Sequence, residues 1–146
     1  MPLSPYQANR FLQSINGKSG NLYLGLATGK PVIDAEYPDT RFSNTYEISG
    51  NGYARAAITN ATMTAAAYDS SGKSYTENEA VIYFPVVTGS DWDTCTYILL
   101  CNSATPAADG SDIIAYGAIS NVNFAPEVDQ VPLLPVGTFV MSMAVT

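Results

Sequence analysis

The 146-residue chain contains no histidine. That absence excludes Ser-His-Asp and Cys-His nucleophile pairs and the usual histidine-based catalytic zinc sites. Charge is scarce too: charged residues make up 13% of the chain, against roughly 25% in typical soluble domains. The six bases, Arg10, Lys18, Lys30, Arg41, Arg55 and Lys73, are scattered, and 13 acids leave a net charge of −7. Phosphate binding needs clustered cations, so neither nucleic acid nor an anionic membrane is an expected partner. No run approaches the roughly 20 apolar residues of a membrane span. The opening Met1-Pro2-Leu3-Ser4-Pro5 lacks the charged and apolar regions of a secretion signal, so cytoplasmic synthesis is expected. Cysteine is limited to Cys95 and Cys101. They flank the apolar stretch Thr96 to Leu100, where six extended residues span roughly 20 Å and disulfide Cα atoms must lie within roughly 7 Å. Two buried free thiols are the expectation.

The remaining candidates for chemistry are weak. Gly25-Leu26-Ala27-Thr28-Gly29-Lys30 is one residue short of a phosphate-binding loop, and Pro31 stands where a magnesium-binding hydroxyl belongs. Gly29-Lys30-Pro31 reads better as the turn ending a strand. The acid pairs Glu77/Glu79, Asp91/Asp93 and Asp109/Asp112 match no calcium-loop pattern, and Asp109-Gly110-Ser111-Asp112 reads as a hairpin turn. The sequence therefore predicts no enzyme, no cofactor and no metal.

What the sequence does contain is hydrophobic alternation. Hydrophobic residues form 47% of the chain and Tyr occurs ten times. The first segment is expected to be a short amphipathic helix over residues 5–15. Ser4 is its N-cap, Pro5 its first helical position and Gln7 the end of a capping box. Ala8, Phe11, Leu12 and Ile15 share its apolar face, and Asn16-Gly17 stops it. Short strands follow: Asn21–Ala27 with Leu22, Leu24 and Leu26 on one side, Tyr53–Thr59, a weaker Thr62–Tyr68, Ala80–Phe84, Thr94–Cys101, Ile113–Ile119, Val131–Leu134 and Thr138–Val145. In Tyr53–Thr59 the alternation puts Ala54, Ala56 and Ile58 on the apolar face and Arg55 on the other. Residues 28–46 read as a long loop, a place where binding residues often reside. Seven or eight strands at this spacing predict an all-β, antiparallel, jelly-roll-like β-sandwich with one short N-terminal helix. The expected organisation is a helical arm over 1–20 and one sandwich domain over 21–146.

Five segments, in order, carry a resemblance. Glu47-Ile48-Ser49-Gly50-Asn51-Gly52-Tyr53-Ala54-Arg55 resembles E-V-S-G-G-S-Y-A-R, and Asn78-Glu79-Ala80-Val81-Ile82-Tyr83-Phe84-Pro85 resembles N-x-A-x-x-x-F-P. Trp92-Asp93-Thr94-Cys95-Thr96-Tyr97 is similar to W-G-T-V-T-H, with Asp93 in place of Gly and Tyr97 in place of His. Ile114-Ala115-Tyr116-Gly117-Ala118-Ile119 is similar to a hairpin ending in Y-x-G-A-L, and Leu22-Tyr23-Leu24-Gly25-Leu26 to an opening Y-V-G-L. These motifs belong to small virion proteins of tailed bacteriophages, commonly labelled tail fibre or head decoration proteins. The resemblance implies a non-enzymatic virion protein, assembled in the host cytoplasm. Its partners would be the major capsid protein or tail proteins, and it would be a homo-oligomer, with a trimer among the options.

The leading expectation is a capsid decoration or cement subunit that stabilises the assembled shell by binding it alone. The alternatives are a tail fibre or baseplate component and a carbohydrate-binding adhesin module. Six residues are candidate contacts: Phe11 and Leu12 on the helix, Tyr37 and Arg41 in the long loop, Arg55 on its strand, and Trp92. For Trp92 the favoured reading is a plug at one end of the sandwich, with a sugar or protein platform as the alternative.

Overall fold

The computed structural model describes residues 22–32, 41–58, 62–68, 70–71, 73–119 and 124–143. The expected helix over 5–15 lies outside them, as do Phe11, Leu12 and Tyr37. Among the described residues every regular element is a strand: β1 (Leu22–Ala27), β2 (Ala56–Ile58), β3 (Ala67–Tyr68), β4 (Ser74–Glu77), β5 (Ile82–Tyr83), β6 (Tyr97–Cys101), β7 (Ile113–Ala118), β8 (Leu133–Leu134) and β9 (Val140–Met143). The pairs β1–β6, β6–β7, β3–β4 and β4–β9 are antiparallel. The described part of the protein is all-β. Its described contacts gather into two compact units, one drawn from Leu22–Ala57 and Tyr83–Pro132, the other from Ile58–Ile82 and Leu133 onward.

The first unit is built on a four-stranded sheet in the order β2-β1-β6-β7, with β2 where the chain passes to the other unit. β1 pairs with β6 from Tyr23↔Cys101 to Ala27↔Tyr97. Leu22, Leu24 and Leu26 are buried, as the alternation predicts, and so is Ala27 on the opposite side of the strand. Ala27, Leu99, Cys101 and Ile113 form one apolar cluster, with Tyr23, Phe42, Tyr97 and Tyr116 packed against it. A leucine taken from water in this way stabilises a fold by roughly 1.5–3 kcal/mol, so these central strands anchor the unit. Beside the sheet, residues 84–95 run along residues 124–132. Phe84, Val87, Trp92 and Cys95 donate backbone hydrogen bonds to Pro132, Gln130, Pro126 and Phe124 in turn. This pairing of residues around prolines explains why the expected Ala80–Phe84 and Val131–Leu134 strands shrink to two residues each: proline has no N–H to extend a ladder.

The second unit holds a three-stranded sheet, β3-β4-β9. β4 pairs with β9 from Ser74↔Met143 to Glu77↔Val140. The sequence did not announce β4, because its inward residues are hydroxylic: Ser74 and Thr76 are both 0% exposed. Thr76 Oγ1 donates to the Thr64 carbonyl at 2.6 Å, and the Glu77 N–H donates to Thr64 Oγ1 at 3.1 Å. Asn78 ends the strand and is also fully buried. Its Nδ2 donates to the carbonyls of Ala80 and Pro135, both at 2.9 Å, while its Oδ1 accepts the Phe139 N–H at 2.9 Å. Backbone bonds from Gly137 N–H to the Asn78 carbonyl and from Asn78 N–H to the Phe139 carbonyl complete the clasp.

Candidate functional site

The first unit concentrates the buried charge found among the described residues. Glu47 forms an isolated antiparallel bridge with Ala27 at the end of β1. Between Glu47 and Arg55 the chain reverses through Gly50, Asn51 and Gly52, all with positive φ. A side chain on Gly52 would meet the Val86 carbonyl at 2.7 Å, so glycine suits both the conformation and the space. The reversal returns Arg55 to Glu47. Arg55 Nε and Nη2 donate to the two Glu47 carboxylate oxygens at 2.7 Å each. Arg55 Nη1 donates to the Ser103 carbonyl at 2.9 Å and to Asp112 Oδ2. The guanidinium is thus held by a fork on one acid and by a second acid from the turn between β6 and β7. Burial works against the Arg55 charge, but the hydrogen bonds to Glu47 and Asp112 outweigh it and raise its pKa.

Tyr53 completes the cluster. Its hydroxyl donates to Glu47 Oε1 at 2.7 Å and accepts the Leu26 N–H at 3.0 Å. Burial and the neighbouring Glu47 carboxylate push the phenol's pKa upward. β1 makes room for this arrangement at Gly25, where a Cβ would stand 2.8 Å from Glu47 Oε1 and 3.0 Å from the Tyr53 oxygen. Trp92 packs edge-on against Tyr53, ring centroids 5.3 Å apart, and its Nε1 donates to the Asn51 carbonyl at 2.9 Å.

Above Trp92 lies a groove of about 360 Å3 bordered by Thr45, Tyr46, Ser49, Ser90, Asp91 and Asp93. Tyr46 is held by its backbone, its carbonyl accepting the Thr28 N–H at 2.9 Å. Its ring lies over Gly29, where a Cβ would come within 3.1 Å of the ring carbons. Asp91 Oδ1 accepts the Val128 N–H at 2.8 Å.

Of the six sequence-predicted contact residues, three are described. Arg41 pairs with Asp109 at 2.5 Å on the surface. Hydrogen bonds from Ser111, with help from Arg41, hold the Asp109 carboxyl below the usual range. Arg55 is buried within the chain, and its expected place on the outer face of a strand is corrected: Ala54 is exposed and Arg55 turns inward. Trp92 is 4% exposed and packs into its own unit. Sequence reasoning missed Glu47, Tyr53 and Asp112 as a set. The signal for two of them lay in the E…Y-A-R motif, whose polar residues are Glu47, Tyr53 and Arg55.

This constellation has the form of a fold-holding cluster: Arg55 reaches both acids, and Asp112 Oδ1 is the one oxygen of the three side chains left buried without a hydrogen-bond partner among the described residues. A family model described as podophage GP4 fiber I protein gp80 matches residues 2–141. The chain belongs to this fibre protein family. It is thus a phage virion structural protein, located in the virion and interacting with other virion proteins. Membership in a fibre family favours the tail-component alternative over the head-decoration expectation. No curated protein matches the chain.

Proposed function

We propose that this fibre-family chain is a structural subunit of the phage tail fibre apparatus, working by protein–protein packing and performing no catalysis. The observation that carries the reading is the family match, which spans nearly the whole chain. The structure supports it in two ways. The buried ion cluster spends its charges internally, as a scaffold does. Along the paired segments near 84 and 130, Tyr83, Val86, Val128 and Val131 remain exposed, apolar surface of the kind that partner proteins cover. The antiparallel sheets among the described residues support a sandwich-class subunit. Self-association is part of the proposal, with a trimer as the state to test. A head-decoration role draws no comparable support.

Chemical cross-linking of purified particles followed by mass spectrometry tests the assignment. Cross-links from Lys30 and Lys73 should run to tail or fibre components and to other copies of this chain. Cross-links confined to the major capsid protein would reject it.

A further inference from the structure

We propose that Asn51–Gly52 is a site of spontaneous deamidation that the fold holds shut, with Trp92 as one of its two locks. The inference does not depend on where in the particle the chain sits. In this reaction the Gly52 nitrogen attacks Asn51 Cγ. A new C–N bond closes a five-membered succinimide, the Cγ–Nδ2 bond breaks, and the side-chain nitrogen leaves as ammonia with the Gly52 proton. Water then opens the ring at either carbonyl, giving aspartate or isoaspartate. The sequence supplies what this chemistry needs. Glycine puts no side chain beside the attacking nitrogen, and both residues are exposed to water. Asn51 and Gly52 have φ of +53° and +81°, and the Tyr53 N–H donates to the Gly50 carbonyl at 3.0 Å, the marks of a type I′ turn. Ring closure suits the positive φ of Asn51 but needs the peptide plane between Asn51 and Gly52 turned over, toward a type II′ turn. Glycine by itself tolerates that flip, since it adopts φ of either sign.

The surrounding structure opposes it. The Asn51 carbonyl oxygen and the Gly52 nitrogen lie in one rigid plane, so turning the nitrogen onto Cγ turns the oxygen away. That oxygen accepts the Thr88 N–H at 2.9 Å and the Trp92 indole N–H at 2.9 Å. Trp92 is buried and set edge-on against Tyr53, so a flip strands its indole donor away from water, a costly loss. Gly52 is also hemmed in: a Cβ there would stand 2.7 Å from the Val86 carbonyl and 2.8 Å from Thr88 Oγ1. The site is therefore closed in the folded chain and open in the unfolded one. Isoaspartate routes the main chain through the side-chain carbon and lengthens the reversal that returns Arg55 to Glu47. A chain modified while unfolded thus loses the register that builds the buried ion cluster.

The experiment ages the full-length chain at mildly alkaline pH, folded and in parallel in urea. Peptide mass spectrometry follows Asn51, with aspartate and isoaspartate separated by chromatography. Asn51 should convert at least about tenfold more slowly in the folded chain, because two hydrogen bonds must break first. Trp92→Phe keeps an aromatic ring and removes the indole donor, and should convert about three- to tenfold faster than the folded parent. Hydrogen exchange of the Trp92 indole N–H, read by NMR in the parent, reports on the same lock without a substitution and should be slow. If Trp92→Phe does not fold, the two parent readings decide. Equal rates in the folded chain and in urea, a folded Trp92→Phe that converts no faster, or rapid indole exchange in the folded parent would overturn the proposal.

Discussion

Removing the Arg55 side chain strands two acids. Glu47 and Arg55 side chains are 3% and 0% exposed, and Asp112 is 6%, so Arg55→Ala leaves buried carboxylates without their cation. Breaking a buried pair in this way costs about 3–5 kcal/mol. Urea unfolding of the variant should show a loss of that order, and Arg55→Lys, which cannot fork onto Glu47 while also reaching Asp112, should recover only part of it. A loss below about 1 kcal/mol, the worth of a surface pair, would show that the cluster is solvated. The two thiols make a second residue-scale case. Both cysteines are buried and free. Burial pushes the Cys95 thiol up to about 12, with Asp93 adding to it, and burial likewise pushes Cys101 up to about 12. A folded-state pKa above the unfolded one means that the native state holds its protons longer. The associated stability is fully present below the ordinary thiol pKa and is lost as pH rises from there toward about 12. Denaturation midpoints should fall over that alkaline window, and a thiol reagent near neutral pH should label neither cysteine until the chain unfolds. Rapid labelling of the folded chain would contradict the burial.

At the scale of elements, the polar clasp at Asn78 stands out. One side chain satisfies the Phe139 N–H and two carbonyls inside the unit containing β4 and β9. Asn78→Ala should destabilise the protein by about 2–4 kcal/mol, because a buried group left unpaired costs roughly 1–3 kcal/mol. Thermal or denaturant unfolding measures this, and an unchanged midpoint would mean that the clasp is replaced by solvent. The same element shows what hydropathy can and cannot reveal. β1 and β6 were legible because Leu22, Leu24, Leu26 and the Ile98–Leu100 run are apolar and buried. β4 was not, since Ser74, Thr76 and Asn78 reach the interior as hydrogen-bonded polar groups, which a hydrophobic pattern counts as solvent-facing. Arg55 misled for the same reason. Its partners lie eight and 57 residues away in the chain, and no local pattern registers that convergence. The Asp109–Asp112 turn was legible through Gly110. Its φ is +70°, and a Cβ there would overlap the Phe42 carbonyl. That the turn also delivers Asp112 to Arg55 was not.

For the whole molecule, the run of short strands pointed to an all-β fold, the sparse charge to a surface covered by neighbours, and only the resemblance of the motif series pointed to a virion protein of tailed phages. Glu47, Tyr53, Arg55, Asn78 and Trp92, the motif residues, prove to be the ones that hold the interior. They therefore report on the fold and carry no address within the particle, which is why sequence reading ranked head above tail and the family match reverses that order. A cryo-EM reconstruction of the intact particle would locate this chain and count its copies. Density for the chain should lie in the tail fibre apparatus, at a few to a few tens of copies, with each subunit an all-β body in contact with tail proteins. Hundreds of copies spread over the head lattice, or absence from the purified particle, would contradict it.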